Sequence, residues 1–206
     1  MNILVYIPAR GGSKGIKNKN LSKIGDKKLI DYTLNVAKNL PKYCYTFISS
    51  DNKKIRNYCQ SKGFNATYKR PSSLSTDRSS IVDGVIHALE WLQKKEHYVA
   101  DAVLLLQPTS PFRNLKEVKS AITKFKQEKI NSMVGVVKMK EHPRECIIVR
   151  KKSWSYFKKK SLVISRRQDY EDNYYFIDGS FYIAKTSFIK RNKTFVVENE
   201  SLVYKF

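Results

Sequence analysis

The chain has 206 residues, with 40 Lys and Arg against 18 Asp and Glu and a formal net charge of +22. That length fits one compact domain, and 41% hydrophobic with 12% aromatic residues supplies the apolar surface that a wholly disordered chain of such charge would lack. No run approaches the ~18–20 consecutive apolar residues of a membrane helix, and the apolar start from Met1 to Ala9 is too short, and too bare of a basic flank, for a secretion signal, so a cytoplasmic location is expected.

Asn2 to Ile7 is a nearly continuous apolar run closed by Pro8 and reads as a strand buried on both faces. A polar, glycine-containing loop follows, Ala9 to Asn20, then an amphipathic helix from Leu29 to Asn39 that Pro41 closes. Tyr45 to Ser49 reads as a second strand, and Asp51 is placed to cap a helix from Lys53 to Lys62 that Gly63 would end. Asn65 to Tyr68 reads as a short edge-like strand. Between Asp77 and Lys95 the apolar residues Ile81, Val82, Val85, Ile86, Leu89 and Leu92 fall at helical spacing. Asp101 to Leu106 is a buried strand, Leu115 to Glu128 a helix, and Ser132 to Val137 a further strand. Lys138 to Ser165 turns basic, aromatic and β-prone and reads as an insertion or hairpin subdomain, an arm suited to pairing with another subunit, before Phe181 to Ala184 returns to the main sheet. Short buried strands alternating with helices predict an α/β fold with a mainly parallel sheet, whose ligands bind at the carboxyl ends of the strands.

Three polar clusters fall at those ends. In the first, Pro8 to Asn20, Gly11, Gly12 and Gly15 allow backbone N–H groups to face a phosphate while Arg10, Lys14 and Lys19 supply charge. Neither the P-loop nor the dinucleotide glycine spacing is present, so a flexible basic loop is the competing reading. In the second, Leu106 to Arg113, Pro108 and Pro111 fix a polar turn that would hold Gln107 in place, or simply stiffen a connection. In the third, Arg166 and Arg167 precede Gln168 and Asp169, with Asp178 to Tyr182 beyond; adjacent arginines clamp a carboxylate or phosphate, or serve as surface charge.

Taken together the clusters resemble the acylneuraminate cytidylyltransferases, the CMP-sialic acid synthetase family. The matching residues are Ile7-Pro-Ala-Arg-Gly-Gly-Ser-Lys-Gly-Ile16 with Lys19-Asn20, Ser49-Ser-Asp51, Arg70-Pro71, Thr76-Asp77 with Ser79-Ser80, Leu106-Gln-Pro-Thr-Ser-Pro111 with Arg113, Arg166-Arg-Gln-Asp169, and Gly179-Ser-Phe-Tyr182, in the family's order from residue 3 to about 190. The resemblance implies a Rossmann-like nucleotidyltransferase three-layer fold and a single cytidylyltransferase domain over 1–206. The region at about 140–165 would be a β-rich dimerisation insertion, with Trp154, Tyr156 and Phe157 as anchors or as a small local core. The implied reaction joins CMP from CTP to the anomeric hydroxyl of a sialic or related nonulosonic acid and releases pyrophosphate.

Carried over by position, Arg10, Ser13 and Lys19 would contact the CTP phosphates, with Asn20 shaping their loop. Arg70, Ser79 or Ser80, and Gln107 would hold nucleotide or sugar. Arg167, facing the sugar carboxylate or the reacting phosphate, would be the leading catalytic residue beside Lys19 and Arg10. The physical chemistry agrees, because phosphoryl-type transfer asks mainly for positioning and for neutralising oxygens, and no protein nucleophile is needed. Mg²⁺ is the implied cofactor, yet the family's Asp-x-Asp pair has no counterpart here, so its ligands stay unassigned. Asp178 stands where many members carry Asn, and Phe176 near a position that is Arg in some relatives.

Two features remain outside that resemblance. Cys44, Cys59 and Cys146 are odd in number and widely spaced, which points to reduced thiols rather than a disulfide framework or zinc site. The 30 lysines and 10 arginines are spread along the chain as well as clustered at Lys151-Lys152 and Lys158 to Lys160. A polyanion- or RNA-binding module is therefore an alternative, as is a cytidylyltransferase for a shorter keto-deoxy sugar acid; the scatter of the lysines and the Gly-Gly-Ser-Lys-Gly loop both favour the nonulosonate enzyme.

Overall fold

The computed structural model describes residues 1–12, 15–16, 18–157 and 173–206. In chain order the strands and α-helices are β1 (Ile3–Pro8), β2 (Lys23–Ile24), β3 (Lys27–Lys28), α1 (Leu29–Lys38), β4 (Cys44–Ser49), α2 (Lys53–Ser61), α3 (Ile81–Glu96), β5 (Ala102–Leu105), α4 (Leu115–Gln127), β6 (Ser132–Lys138), β7 (Ile147–Arg150), β8 (Ser153–Tyr156), β9 (Tyr175–Phe176), β10 (Tyr182–Lys185), α5 (Thr186–Asn192) and β11 (Leu202–Lys205).

The main sheet runs β11-β6-β10-β5-β1-β4, with β9 added at the end of β6. β1 pairs in parallel with β4 and β5, and β6 with β11. β10 lies antiparallel between β5 and β6. Side chains alternate along β1, so Ile3, Val5 and Ile7 meet α1, α2 and α4, while Leu4 and Tyr6 meet α3 and α5. Two apolar layers on opposite faces of one mostly parallel sheet make the three-layer α/β architecture the sequence predicts. No described helix is long and apolar enough to cross a membrane.

Three expectations are corrected, and the end of the chain adds two elements. Asn65 to Tyr68 does not form a strand; an isolated parallel bridge, Ser50 to Lys69, follows it. α3 starts at Ile81 rather than Asp77, because Ser80 caps it by accepting from Val82 N at 3.1 Å, while the Ser79 hydroxyl folds the preceding residues into a loop by accepting from Thr76 N at 3.0 Å and donating to Ser73 O at 2.9 Å. Asn52, not Asp51, caps α2, its Oδ1 accepting from Lys54 N at 2.8 Å and Ile55 N at 3.3 Å. The chain past β10 adds α5 and β11, which the sequence pattern did not announce.

The insertion supplies an exposed antiparallel hairpin, β7 with β8. Lys158 to Lys160 and the expected Leu162 to Ser165 segment lie outside the described residues. Cys44, Cys59 and Cys146 are free thiols, and burial pushes the Cys59 thiol up to about 12, suiting an inert packing role.

Candidate active site

A cavity of about 280 Å³ opens where β1 and β5 end. It collects residues from three separate stretches: Arg10, Lys19 and Asn20 after β1; Arg70, Ser79 and Ser80 between α2 and α3; and Gln107 after β5. Seven of the nine site residues expected from the sequence therefore line one cavity. Ser13 and Arg167 lie outside the described residues, as do Arg166, Gln168 and Asp169.

The first loop is braced from both sides. Gly11 N donates to Asp51 Oδ1 at 2.9 Å, so Asp51 holds the glycine loop instead of capping a helix. Asn20, only 5% exposed, donates its amide to the Arg10 carbonyl at 2.9 Å. A Cβ at Gly11 would lie 2.4 Å from Asn52 Nδ2 and 2.8 Å from Asn52 Cβ, so the loop packs onto the start of α2 at a spacing that glycine alone permits. Gly11→Ala is accordingly expected to push the loop off α2 and weaken CTP binding by about tenfold or more; equilibrium titration with CTP checks it.

Arg10 reaches across the cavity mouth to the α3-side loop, its guanidinium bonding Asp77 at 2.8 Å and the Thr76 carbonyl at 3.0 Å. Arg70 is buried deeper, with Nε on Ser49 Oγ at 2.8 Å and one terminal nitrogen on the Ser49 carbonyl at 2.5 Å. Three cations against a single paired carboxylate make the cavity a site for an anion. Ser79 and Ser80 line it, but their hydroxyls also serve the loop and the helix cap.

Two residues matter here to which sequence reasoning assigned no role. Tyr6 lines the cavity from the middle of β1, where it reads as one more apolar strand position. Arg113 stands behind the Gln107 turn, its guanidinium donating to Thr33 Oγ1 at 2.9 Å and to the carbonyls of Gln107 and Ser180. Burial pulls its pKa down to about 10, with Asp178 partly opposing the shift. The signal for Arg113 is a cation two residues beyond Pro111, at the end of a turn that holds two prolines. It joins the turn after β5 to the Asp178 to Ser180 segment, where Gly179 adopts φ +73° and Ser180 N bonds Asp178 Oδ1 at 2.9 Å.

No group of three or more His, Cys, Asp or Glu among the described residues converges as a metal site. Asp51 and Asp178 accept from backbone N–H groups and Asp77 pairs with Arg10, so the described carboxylates do not form a Mg²⁺ cage. His87 on α3 shares a 2.8 Å bond with the Tyr68 hydroxyl.

The cytidylyltransferase family model matches residues 4–200. Among curated proteins, the CMP-N,N'-diacetyllegionaminic acid synthase of Legionella pneumophila is 32% identical over 198 residues, covering 96% of this chain and 84% of its own. Post-translational flagellin modification protein B of Campylobacter coli is 29% identical over 202 residues, 97% of this chain and 84% of its own. The N-acylneuraminate cytidylyltransferase of Streptococcus agalactiae serotype III is 27% identical over 197 residues, 95% of this chain and 46% of its own. Among solved structures, a CMP:2-keto-3-deoxy-manno-octonic acid synthetase complexed with CTP superposes with a TM-score of 0.70 at 15% identity, over 100% of this chain and 90% of that one, which bears out the fold. With the family model and relatives matched along nearly its whole length, and with a cationic cavity at the carboxyl edge of its sheet, the chain belongs to the cytidylyltransferase family of nucleotidyltransferases.

Proposed function

We propose that the chain transfers CMP from CTP to the anomeric hydroxyl of an acidic nonulosonic sugar, of the sialic, legionaminic or pseudaminic type. The sugar oxygen forms a bond to the α-phosphorus, the α–β phosphoanhydride bond breaks, the hydroxyl proton is lost and pyrophosphate leaves. The observation that carries this reading is the gathering of Arg10, Lys19, Arg70 and Gln107, from three distant stretches, around one cavity. Relatives named for legionaminic, pseudaminic and N-acylneuraminic acids set the substrate class.

In this reading Arg10 and Lys19 offset charge on the triphosphate, a term that phosphoryl-type transfer needs more than any nucleophile. Arg70 and Gln107 hold the nucleotide, Asn20 shapes the phosphate loop, and Ser79 and Ser80 set the shape of the opposite wall. Ser13 on the phosphates and Arg167 on the sugar carboxylate or reacting phosphate rest on the resemblance. The reaction consumes CTP, which fits the cytoplasmic location expected from the sequence.

Pyrophosphate release tests the reading. With CTP, Mg²⁺ and a panel of sialic, legionaminic and pseudaminic acids, release is expected only when CTP and one of these acids are present together. Release with an eight-carbon keto-deoxy acid alone, or with none of the panel, would overturn it.

One domain over 1–206 and a homodimer complete the proposal. The β7–β8 hairpin exposes Ile147 at 51%, Val149 at 73% and Trp154 at 59%, an apolar face of the kind that meets a second subunit. Trp154→Ala is expected to weaken self-association by about tenfold or more in sedimentation equilibrium; an unchanged monomer–dimer equilibrium would remove the hairpin from the interface.

A further inference from the structure

One wall of the cavity is built from polar groups where apolar packing alone would call for hydrocarbon. β1 is otherwise Ile3, Leu4, Val5, Ile7 and the terminal Pro8, yet it places the phenol of Tyr6 at 0% exposure. The Tyr6 hydroxyl donates to Ser49 Oγ at 2.8 Å. Ser49, also 0% exposed at the end of β4, accepts from Arg70 Nε on the same oxygen at 2.8 Å and from Arg70 NH2 on its carbonyl at 2.5 Å. Both lone pairs of the serine oxygen are thus committed, one to the phenol and one to the guanidinium.

These bonds use two of the three guanidinium nitrogens and fix the plane of a side chain that is 7% exposed and lines the cavity. NH1 is the nitrogen they leave over among the described residues. A phenylalanine would fill the Tyr6 space without burying a hydroxyl, so the hydroxyl marks a task beyond packing. α3 accommodates it as well: Gly84, inside the helix, has no side chain, and a Cβ there would stand 2.8 Å from the Tyr6 hydroxyl oxygen. Burial raises the Tyr6 pKa above the ordinary phenol value, with Arg70 and the Ser49 bond opposing the shift, so the phenol stays a neutral donor at working pH.

We propose that Tyr6 is a positioning residue for the nucleotide site, acting through Ser49 to hold the Arg70 guanidinium so that its remaining NH1 edge meets CTP, with Gly84 providing the space. This rests on the reading of Arg70 as a nucleotide ligand. The mechanism is preorganisation: a guanidinium already held by two bonds loses little freedom when the ligand arrives, and a loosened one loses more.

Equilibrium binding of CTP alone, with no sugar present, tests it independently of the transfer reaction. Tyr6→Phe is expected to raise the CTP Kd about threefold to tenfold, with the melting temperature within a few degrees of the parent protein. Gly84→Ala, which displaces the same hydroxyl without removing it, is expected to act in the same direction. In an Arg70→Ala background the Tyr6→Phe effect should vanish, because a residue acting through Arg70 has nothing left to position. The Arg70 Nε–Hε signal in a ¹H–¹⁵N spectrum should shift in Tyr6→Phe and be lost in Arg70→Ala.

An unchanged Kd in Tyr6→Phe, a Tyr6→Phe effect that persists without Arg70, or an unmoved Nε–Hε signal would each overturn the positioning role. Normal CTP affinity in Arg70→Ala would overturn the nucleotide-ligand reading and the positioning role with it. Failure of every sugar to release pyrophosphate while CTP binding stays coupled to Tyr6 would sink the transfer reading alone.

Discussion

Arg10→Ala is expected to lower kcat/KM for CTP by about two to three orders of magnitude while leaving the protein folded. The two halves of that expectation come from different properties of one side chain. Arg10 stands on a glycine loop held by Asp51 and Asn20 and lines the cavity proposed to take the triphosphate. Its ion pair with Asp77 joins side chains that are 36% and 37% exposed, and pairs so open to water contribute at most about 1 kcal/mol. The melting temperature should therefore move by about 2–4 °C or less. Arg10→Lys keeps the charge and loses the planar fork, and is expected to recover part of the loss. Steady-state kinetics beside a thermal melt decides the matter: a fall in kcat/KM of less than about fivefold would remove Arg10 from the site.

Arg113→Ala is expected to do the reverse, acting first on stability. The guanidinium bonds a hydroxyl on α1, the carbonyl of Gln107 and the carbonyl of Ser180, three acceptors that belong to separate parts of the chain. Its removal takes a donor from two main-chain carbonyls, leaving Gln107 O with only Ser110 N and Ser180 O without the guanidinium, and opens a void behind the turn. The expected cost is about 3 kcal/mol, which corresponds to a fall in melting temperature of about 6–12 °C for a chain of this size. Lysine should restore little, because one ammonium cannot span three acceptors set in a fork. Activity should fall too, since the same turn presents Gln107. A melting temperature within about 2 °C of the parent would show that the buried guanidinium contributes no more than its desolvation costs.

Much of the fold was legible because buried strands announce themselves by composition. Ile3 to Ile7 and Ala102 to Leu105 are almost wholly aliphatic, and the helices between them carry apolar residues at helical spacing. What such a run cannot state is its direction or its neighbours. Phe181 to Ala184 was expected in the main sheet, and Tyr182 to Lys185 is there, but its antiparallel place between β5 and β6 comes from pairing with strands about 50 to 80 residues away in sequence. Local chemistry also failed where adjacent residues compete for one role. Asp51 and Asn52 are both good helix caps; the backbone N–H of Gly11, 40 positions away in sequence, claims the aspartate and leaves the cap to the asparagine. In the same way Ser79 and Ser80 both suit a helix start, and only the turn that bonds Thr76 to Ser79 decides which of them caps α3.

The candidate-site residues divide along the same line. Arg10, Lys19, Asn20 and Gln107 fall in local clusters of glycines, cations and prolines at strand ends, whereas Arg70, Ser79 and Ser80 were singled out only by the resemblance to the cytidylyltransferases. Tyr6 was not, because inside an apolar run a phenol looks like any other large side chain until the serine beneath it and the glycine opposite it are in place. The amino-acid sequence by itself determined the layers of this protein, the edge of the sheet where the candidate site lies and the charge of that edge, all of which follow from composition and short-range spacing. Tertiary structure alone decided which cation stands at the mouth and which is locked in the wall, for a guanidinium takes its role from hydrogen-bond partners that the chain brings to it across tens of residues.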